Sequence, residues 1–153
     1  AHEQPGGAVD DLVAQFAGAL AGVALANLMF SLPAWQVSTD RRGGAGVLLG
    51  EVVATAGVVL VIFALVRTGR ATAVAPAVGA YIGAAYWFTS STSFANPAVT
   101  VARMFSDTFA GIEPASVPMF VLMQVIGGTA AAVLVRLLYP STTLARTPER
   151  IDA

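Results

Sequence analysis

The segment STSFANPAVTVAR, residues 91–103, interrupts a long apolar run and carries no charge before Arg103. Asn96 is a favoured helix N-cap residue, and Pro97 suits the first position of a helix. A helix from Pro97 to about Phe105 would rise roughly 14 Å, about half the hydrocarbon thickness of a bilayer. Such a helix is too short to cross a membrane. The segment therefore predicts either a re-entrant half-helix or an amphipathic surface helix.

A re-entrant path would place irregular backbone at the depth of the lipid chains. Such backbone is tolerated only where protein or water surrounds it. We therefore expect the strand formed by Ser93, Phe94 and Ala95 to line a cavity, with its carbonyl groups facing the water path. The N-terminus of the half-helix at Asn96 would direct a positive partial charge toward the membrane centre. That charge repels cations and lets neutral solutes pass.

The rest of the sequence is typical of an all-α membrane protein in a lipid bilayer. Of its 153 residues, 56% are apolar and 11% are charged, whereas a soluble domain carries about 25% charged residues. Four stretches with at most one charge are each long enough to span a bilayer, which takes roughly 20 residues. We expect a single domain, residues 1–153, with transmembrane helices at about 11–32, 45–66, 72–90 and 116–138, a half-helix at about 97–105, and polar tails at 1–10 and 141–153.

The composition argues against an enzyme. The chain has no Cys, and its single His is His2, in the polar N-terminal stretch. No cluster of carboxylates and no phosphate-binding glycine loop is present in the sequence. We therefore expect no catalytic residue, no metal and no cofactor. The formal net charge of −1 indicates no basic surface, and hence no nucleic-acid partner.

An internal repeat relates residues 15–33, QFAGALAGVALANLMFSLP, to residues 124–140, QVIGGTAAAVLVRLLYP. Gly18 of the first copy aligns with Gly127 of the second. An odd number of crossings separates the copies, so the second would be inverted relative to the first. The alternative is chance similarity between two helices rich in Ala and Gly. The repeat predicts that two further helices precede Ala1 in a longer parent sequence.

The distribution of arginines predicts the orientation in the membrane. Arg67 and Arg70 lie in one loop, and Arg146 and Arg150 lie in the C-terminal tail. Cytoplasmic segments are enriched in Arg and Lys, so both ends of this chain are expected to be cytoplasmic. The loop at residues 41–42, which also holds arginines, argues against this orientation.

The order of the motifs resembles the aquaporin, or major intrinsic protein, family. NPA at residues 96–98 lies between two helices, Glu51 lies early in an earlier helix, and Gln124-x-x-Gly127 lies in the last helix. The similarity extends over residues 12–140. It implies an aquaporin-like helical bundle, here an incomplete copy of the six-helix inverted-repeat fold with four transmembrane helices and one re-entrant half-helix. It also implies a homotetramer in the cell membrane, with one pore per subunit for water or small uncharged solutes.

The resemblance implies roles for individual residues. Asn96 would offer its side-chain amide to the solute at the pore centre. Pro97 would begin the half-helix, and Ala98 would pack against the matching motif of the other half. Glu51 would accept hydrogen bonds from the re-entrant loop; the alternative is an exposed residue near the membrane interface.

One position departs from the family pattern. An arginine usually follows the second NPA and forms the narrow filter, whereas Val99 stands there in this chain. Arg103 follows one helical turn later and either reaches the pore in its place or pairs with Asp107, four residues further on. Counting back from the NPA motif puts another filter position near Ala84 or Ala85. A small side chain there predicts a wide opening, suited to glycerol or arsenous acid.

Two other functions remain open. A secondary transporter also uses broken helices, and Glu51 is the carboxylate within a span that could couple transport to an ion gradient. A truncated, non-conducting membrane subunit is the other alternative, because one re-entrant loop fills half a pore.

Overall fold

The computed structural model describes residues 5–139, with side chains from Gly7 onward. All regular structure in this part of the chain is helical. The helices are α1 (Pro5–Met29), α2 (Ala45–Arg67), α3 (Val74–Phe88), the short α4 (Pro97–Ala102) and α5 (Val117–Leu138). Turns of 3₁₀ helix precede α3 at Ala71–Ala73, extend α4 at Arg103–Phe105 and precede α5 at Pro114–Ser116.

Four helical segments are long and apolar enough to cross a membrane, at Gly7–Met29, Ala45–Arg67, Ala71–Phe88 and Pro114–Leu138. The expectation of an all-α membrane fold is thereby confirmed. Helix α4 with its 3₁₀ extension, residues 97–105, is too short to cross. We refer to these residues as the half-helix.

Helix α1 is displaced from the span predicted at residues 11–32. It begins at Pro5, so part of the expected polar tail is helical; proline is favoured in the first turn of a helix. It ends at Met29, shortly before Ser31, whose φ is 60°. That left-handed conformation cannot continue a right-handed helix. The tail expected at 141–153 lies outside the described residues.

Helix α2 lies between α3 and α5 and packs closely against both. A Cβ added at Gly127 of α5 would lie 2.5 Å from the carbonyl oxygen of Val52, so glycine is needed for this approach. Gly57 of α2 likewise leaves room for the ring of Tyr81 on α3. The Tyr81 hydroxyl then donates to the carbonyl oxygen of Ala54 at 3.1 Å.

Helix α1 contacts the rest of the bundle mainly through the half-helix. The outer faces of the long helices are apolar and exposed, with Leu25, Trp87 and Leu137 as examples. Lipid chains are as apolar as these side chains, so their exposure costs little in a bilayer. The fold therefore positions the half-helix between α1 on one side and the α2–α5 pair on the other.

Candidate functional site

The chain between α3 and α4 is irregular and strained. Thr92, Ser93 and Ala95 have φ angles of 60°, 49° and 50°. The left-handed region costs an L residue about 1 kcal/mol or more. Contacts from elsewhere in the bundle must therefore hold this segment in place.

Glu51 of α2 supplies such contacts from a fully buried position, with 0% of its surface exposed. Its carboxyl oxygens accept hydrogen bonds from the backbone N–H of Ala95 at 2.5 Å and of Phe94 at 3.3 Å. They also accept from Nε2 of Gln124 on α5 at 2.8 Å, which in turn donates to Oγ1 of Thr100 on α4 at 2.6 Å. The alternative of an exposed Glu51 near the interface is therefore wrong.

Asn96 and Pro97 begin the half-helix directly after the strained segment. Asn96 is extended, and its Oδ1 accepts from the N–H of Ala98 at 2.7 Å. Its Nδ2 donates to Oε1 of Gln15 on α1 at 2.9 Å. Pro97 takes the first helical position, where its missing N–H costs nothing. The asparagine therefore joins the start of α4 to α1.

The side chain of Phe94 lies in the protein core, whereas the prediction for residues 93–95 concerned their backbone carbonyl groups. Phe94 is 2% exposed and belongs to an apolar cluster with Phe120 and Ile112. Its ring centroid lies 5.3 Å from that of Phe120. Ser93 is buried as well, and neither Ser93 nor Ala95 lines the cavity described next. The N–H groups of this segment turn toward Glu51, which draws the segment into the protein core.

A cavity of about 540 Å³ lies between α1, α3 and the half-helix. Its walls are mainly apolar. Of the predicted pore residues, Val99 and Arg103 line it, whereas Asn96, Pro97 and Ala98 do not. Further lining comes from α1, α3 and the chain after α4, including Gly22, Asn27, Tyr86, Ser106 and Phe109.

The guanidinium of Arg103 lies at this cavity. Its Nη2 donates to the hydroxyl of Tyr86. Its central carbon is 4.2 Å from the ring centroid of Phe94 and 5.3 Å from that of Tyr86, within the range of cation–π attraction. Its Nη1 is buried and has no hydrogen-bond partner among residues 7–139. Asp107 instead accepts from the backbone N–H and Oγ1 of Thr39 at 2.8 and 3.0 Å, so the alternative of an Arg103–Asp107 pair is wrong.

The structure does not place Ala84 at the cavity. Ala84 is exposed and Ala85 is buried, and Tyr86 is the α3 residue in the lining. Residues two apart on a helix point in directions about 200° apart, so Ala84 and Tyr86 lie on opposite sides of α3. Counting back through an irregular segment does not define the rotation of the preceding helix. Tyr86 could have been found from the sequence because a buried arginine needs a hydrogen-bond acceptor and favours an aromatic ring. A tyrosine supplies both.

Asn27 of α1 is a second cavity residue that spacing did not reveal. Its Nδ2 donates to the carbonyl oxygens of Ala34 at 3.1 Å and Phe105 at 2.9 Å. Its Oδ1 accepts from Oγ of Ser106 at 2.7 Å. These bonds tie the end of α1 to the end of the half-helix. The sequence did contain a signal for Asn27, since a polar amide within an apolar transmembrane span indicates a functional or buried position.

The site places the largely buried guanidinium of Arg103 against mainly apolar walls. Such a surface can accommodate a neutral solute, and its charge repels cations. Among the described residues there is no group of three or more His, Cys, Asp or Glu side chains that could hold a metal ion.

Two comparisons with known proteins found similar sequences. Residues 68–151 match the family model described as major intrinsic protein. Aquaglyceroporin AqpS of Rhizobium meliloti (strain 1021) is 50% identical over 136 residues, which cover 88% of this chain and 58% of the relative. The chain thus spans little more than half the length of the curated relative it matches. No solved structure matches it.

Proposed function

The chain belongs to the major intrinsic protein family, and we propose that it forms part of a passive membrane channel for water and small uncharged solutes such as glycerol. Members of this family are channels and not enzymes. The observation that carries the proposal is the broken third span. Helix α3 stops at Phe88, the chain turns back around Glu51, and a short helix restarts inside the bundle beside a cavity.

The cavity surroundings favour a neutral solute. A polyol has a carbon face that suits apolar walls, and its hydroxyl groups can hydrogen-bond with polar lining residues such as Tyr86 and Ser106. The guanidinium charge disfavours cations in the same space. Arsenous acid, a small neutral molecule with three hydroxyl groups, has similar hydrogen-bonding chemistry and is a further proposed solute.

Two residues have proposed roles in solute passage. Arg103 would replace the arginine that the family usually carries where Val99 stands, because its guanidinium lies at the cavity one helical turn further on. Asn96 would offer its side-chain amide at the pore centre. Its hydrogen bond to Gln15 on α1 supports this role, because the amide then points away from the half-helix.

The apolar helices and the family support a multi-pass membrane protein. We propose that it lies in the cell membrane with both ends of this chain cytoplasmic. We also propose a homotetramer, the assembly that the resemblance to the family implies.

Swelling of proteoliposomes tests the channel directly, using the intact protein that contains this chain. We expect faster swelling than in protein-free vesicles in both water and glycerol gradients, with no response to an imposed proton or sodium gradient. Swelling no faster than in protein-free vesicles would contradict the proposal. Flux that follows a proton or sodium gradient would instead support the transporter alternative.

Arg103→Ala tests the role of the guanidinium. Removing it widens the cavity and deletes the donor, so we expect permeability to the larger polyol xylitol, relative to water, to rise about tenfold, equivalent to about 1.4 kcal/mol of barrier. Arg70→Ala is the matched control, because Arg70 lies in the exposed turn after α2, away from the cavity. An unchanged ratio of xylitol to water permeability in Arg103→Ala would remove Arg103 from the proposed filter.

A further inference from the structure

Arg42 lies in the loop between α1 and α2 and does not line the cavity. Its side chain is only 9% exposed, whereas its neighbour Arg41 is exposed. Burial lowers the pKa of Arg42, and the nearby carboxylates of Asp40 and Glu51 oppose that shift. Asp40 forms an ion pair with it at 3.2 Å. A buried guanidinium is costly unless its donors are bonded, so its partners indicate what it stabilises.

The guanidinium of Arg42 joins the two segments that flank the half-helix. Before the half-helix, its Nη1 donates to the carbonyl oxygen of Ser91 at 3.1 Å and to Oγ1 of Thr92 at 3.2 Å. After the half-helix, its Nε donates to the carbonyl oxygen of Gly111 at 2.5 Å, and its Nη2 donates to that of Phe109. One side chain therefore fastens both ends of the re-entrant segment.

These bonds complement those of Glu51. Glu51 binds the N–H groups of Phe94 and Ala95 from within the bundle, whereas Arg42 binds Ser91 and Thr92 from the loop. Of the left-handed residues, Thr92 is bonded to Arg42, Ala95 is bonded to Glu51, and Ser93 lies between them. Such strain persists only where surrounding contacts enforce it.

Phe94 links Arg42 to the cavity. Its ring centroid lies 5.0 Å from the guanidinium carbon of Arg42 and 4.2 Å from that of Arg103. Each cation is attracted to the ring, while the two cations repel each other. The Phe94 ring therefore lies between the two guanidinium groups, and a shift of the ring would move a cation–π partner of Arg103. Phe109, whose carbonyl oxygen Arg42 binds, also lines the cavity.

We propose that Arg42 is a positioning residue for solute selection, which fixes both flanks of the half-helix and, through Phe94, the place of the Arg103 guanidinium. This inference rests on the proposed channel function. Arg42 would affect selectivity although it does not line the cavity. A merely structural role would change the amount of folded channel, but it would not change the preference of each channel for one solute over another.

The test compares Arg42→Ala and Arg42→Lys with the matched control Arg41→Ala in proteoliposomes of the intact protein. The readout is the ratio of glycerol to water permeability in the same preparation, which does not depend on how much protein is active. We expect the ratio to change about threefold or more in Arg42→Ala, a factor in the range that one ordinary hydrogen bond carries. Arg42→Lys keeps the charge but not the fork of donors, and its ratio should lie between that of Arg42→Ala and that of the parent. Arg41→Ala should match the parent.

The outcomes separate the inference from the channel proposal. Parent vesicles that pass neither water nor glycerol would refute the channel itself. A conducting parent with an unchanged ratio in both Arg42 variants would refute only the role of Arg42. If Arg42→Ala yields no folded protein, Arg42→Lys decides, since a ratio equal to the parent's would overturn the inference and a changed ratio would support it.

Discussion

Helices α1 and α5 carry the two copies of one sequence repeat, yet their surroundings differ. In α5, Gln124 is buried and donates to both Glu51 and Thr100. Gly127, one turn further on, lies against the backbone of α2 at Val52. The face of α5 that carries Gln124 and Gly127 is therefore packed against α2 and α4.

In α1, the aligned residues have few neighbours. Gln15 is exposed and accepts a single described hydrogen bond, from Asn96. A Cβ added at Gly18 would meet no atom within 4 Å. Helix α1 is instead tied to the bundle near its end, by Asn27.

The comparison shows that the Gln-x-x-Gly pattern does not itself create a packed helix. A small residue permits close approach and an amide offers hydrogen bonds, but both need a neighbouring helix to act on. In the described residues α5 has that neighbour in α2. The face of α1 that carries Gln15 and Gly18 meets the start of the half-helix through one described hydrogen bond, from Asn96, and no described atom lies against Gly18.

The largest effect on stability should come from removing the carboxyl group of Glu51, to which Gln124 of α5 donates. Glu51→Ala leaves the N–H groups of Phe94 and Ala95 and the amide of Gln124 without their acceptor. Each buried unsatisfied group costs about 1–3 kcal/mol, so we expect the free energy of unfolding to fall by about 4 kcal/mol or more. Denaturant unfolding in detergent measures this. Glu51→Gln keeps one acceptor oxygen and should lose less unfolding free energy. Equal losses in the two variants would show that the acceptor oxygens do not cause the stabilisation.

The glycines of the two copies provide a matched pair. Gly127→Ala should destabilise the protein by about 2 kcal/mol, the ordinary cost of overpacking a close contact. Gly18→Ala has open space and gains helix propensity, so the change should be neutral or stabilising by up to about 1 kcal/mol. Thermal unfolding of both variants checks the contrast. A loss in Gly18→Ala as large as that in Gly127→Ala would mean that another helix covers this face of α1 in the membrane.

The glutamines give the smallest contrast. Gln124→Ala removes a buried donor to two acceptors and should cost about 1–2 kcal/mol of unfolding free energy. Gln15→Ala removes an exposed acceptor and should change it by less than about 0.5 kcal/mol. The same unfolding measurements decide. Similar losses of unfolding free energy in the two variants would contradict the inference that the buried Gln124 contributes more to stability than the exposed Gln15.

Much of the fold could be predicted because its signals are local. Uncharged stretches of sufficient length indicate spans wherever they pack. Asn96 followed by Pro97 is a helix start that depends on neighbouring residues alone. The resemblance to the major intrinsic protein family, which rests on these same features, is confirmed by the family match and the relative.

The candidate site was harder to predict because it depends on which way each helix faces. Spacing could not show that Tyr86, and not Ala84, reaches the cavity, since that follows from the rotation of α3. Spacing also could not show that Phe94 is buried. Nor could it show that Asp107 is bonded to Thr39, while Arg103 contacts aromatic rings instead.

The sequence by itself determined that this is a helical membrane protein with a span broken before Asn96, because charge, chain length and capping chemistry act over a few neighbouring residues. Only the tertiary structure decided that Glu51 and Arg42 anchor the break from two sides and that Arg103 lies at the cavity with Tyr86. Those contacts join residues far apart in the chain, and they form only once helix rotation and close packing at glycines have set which side chains meet.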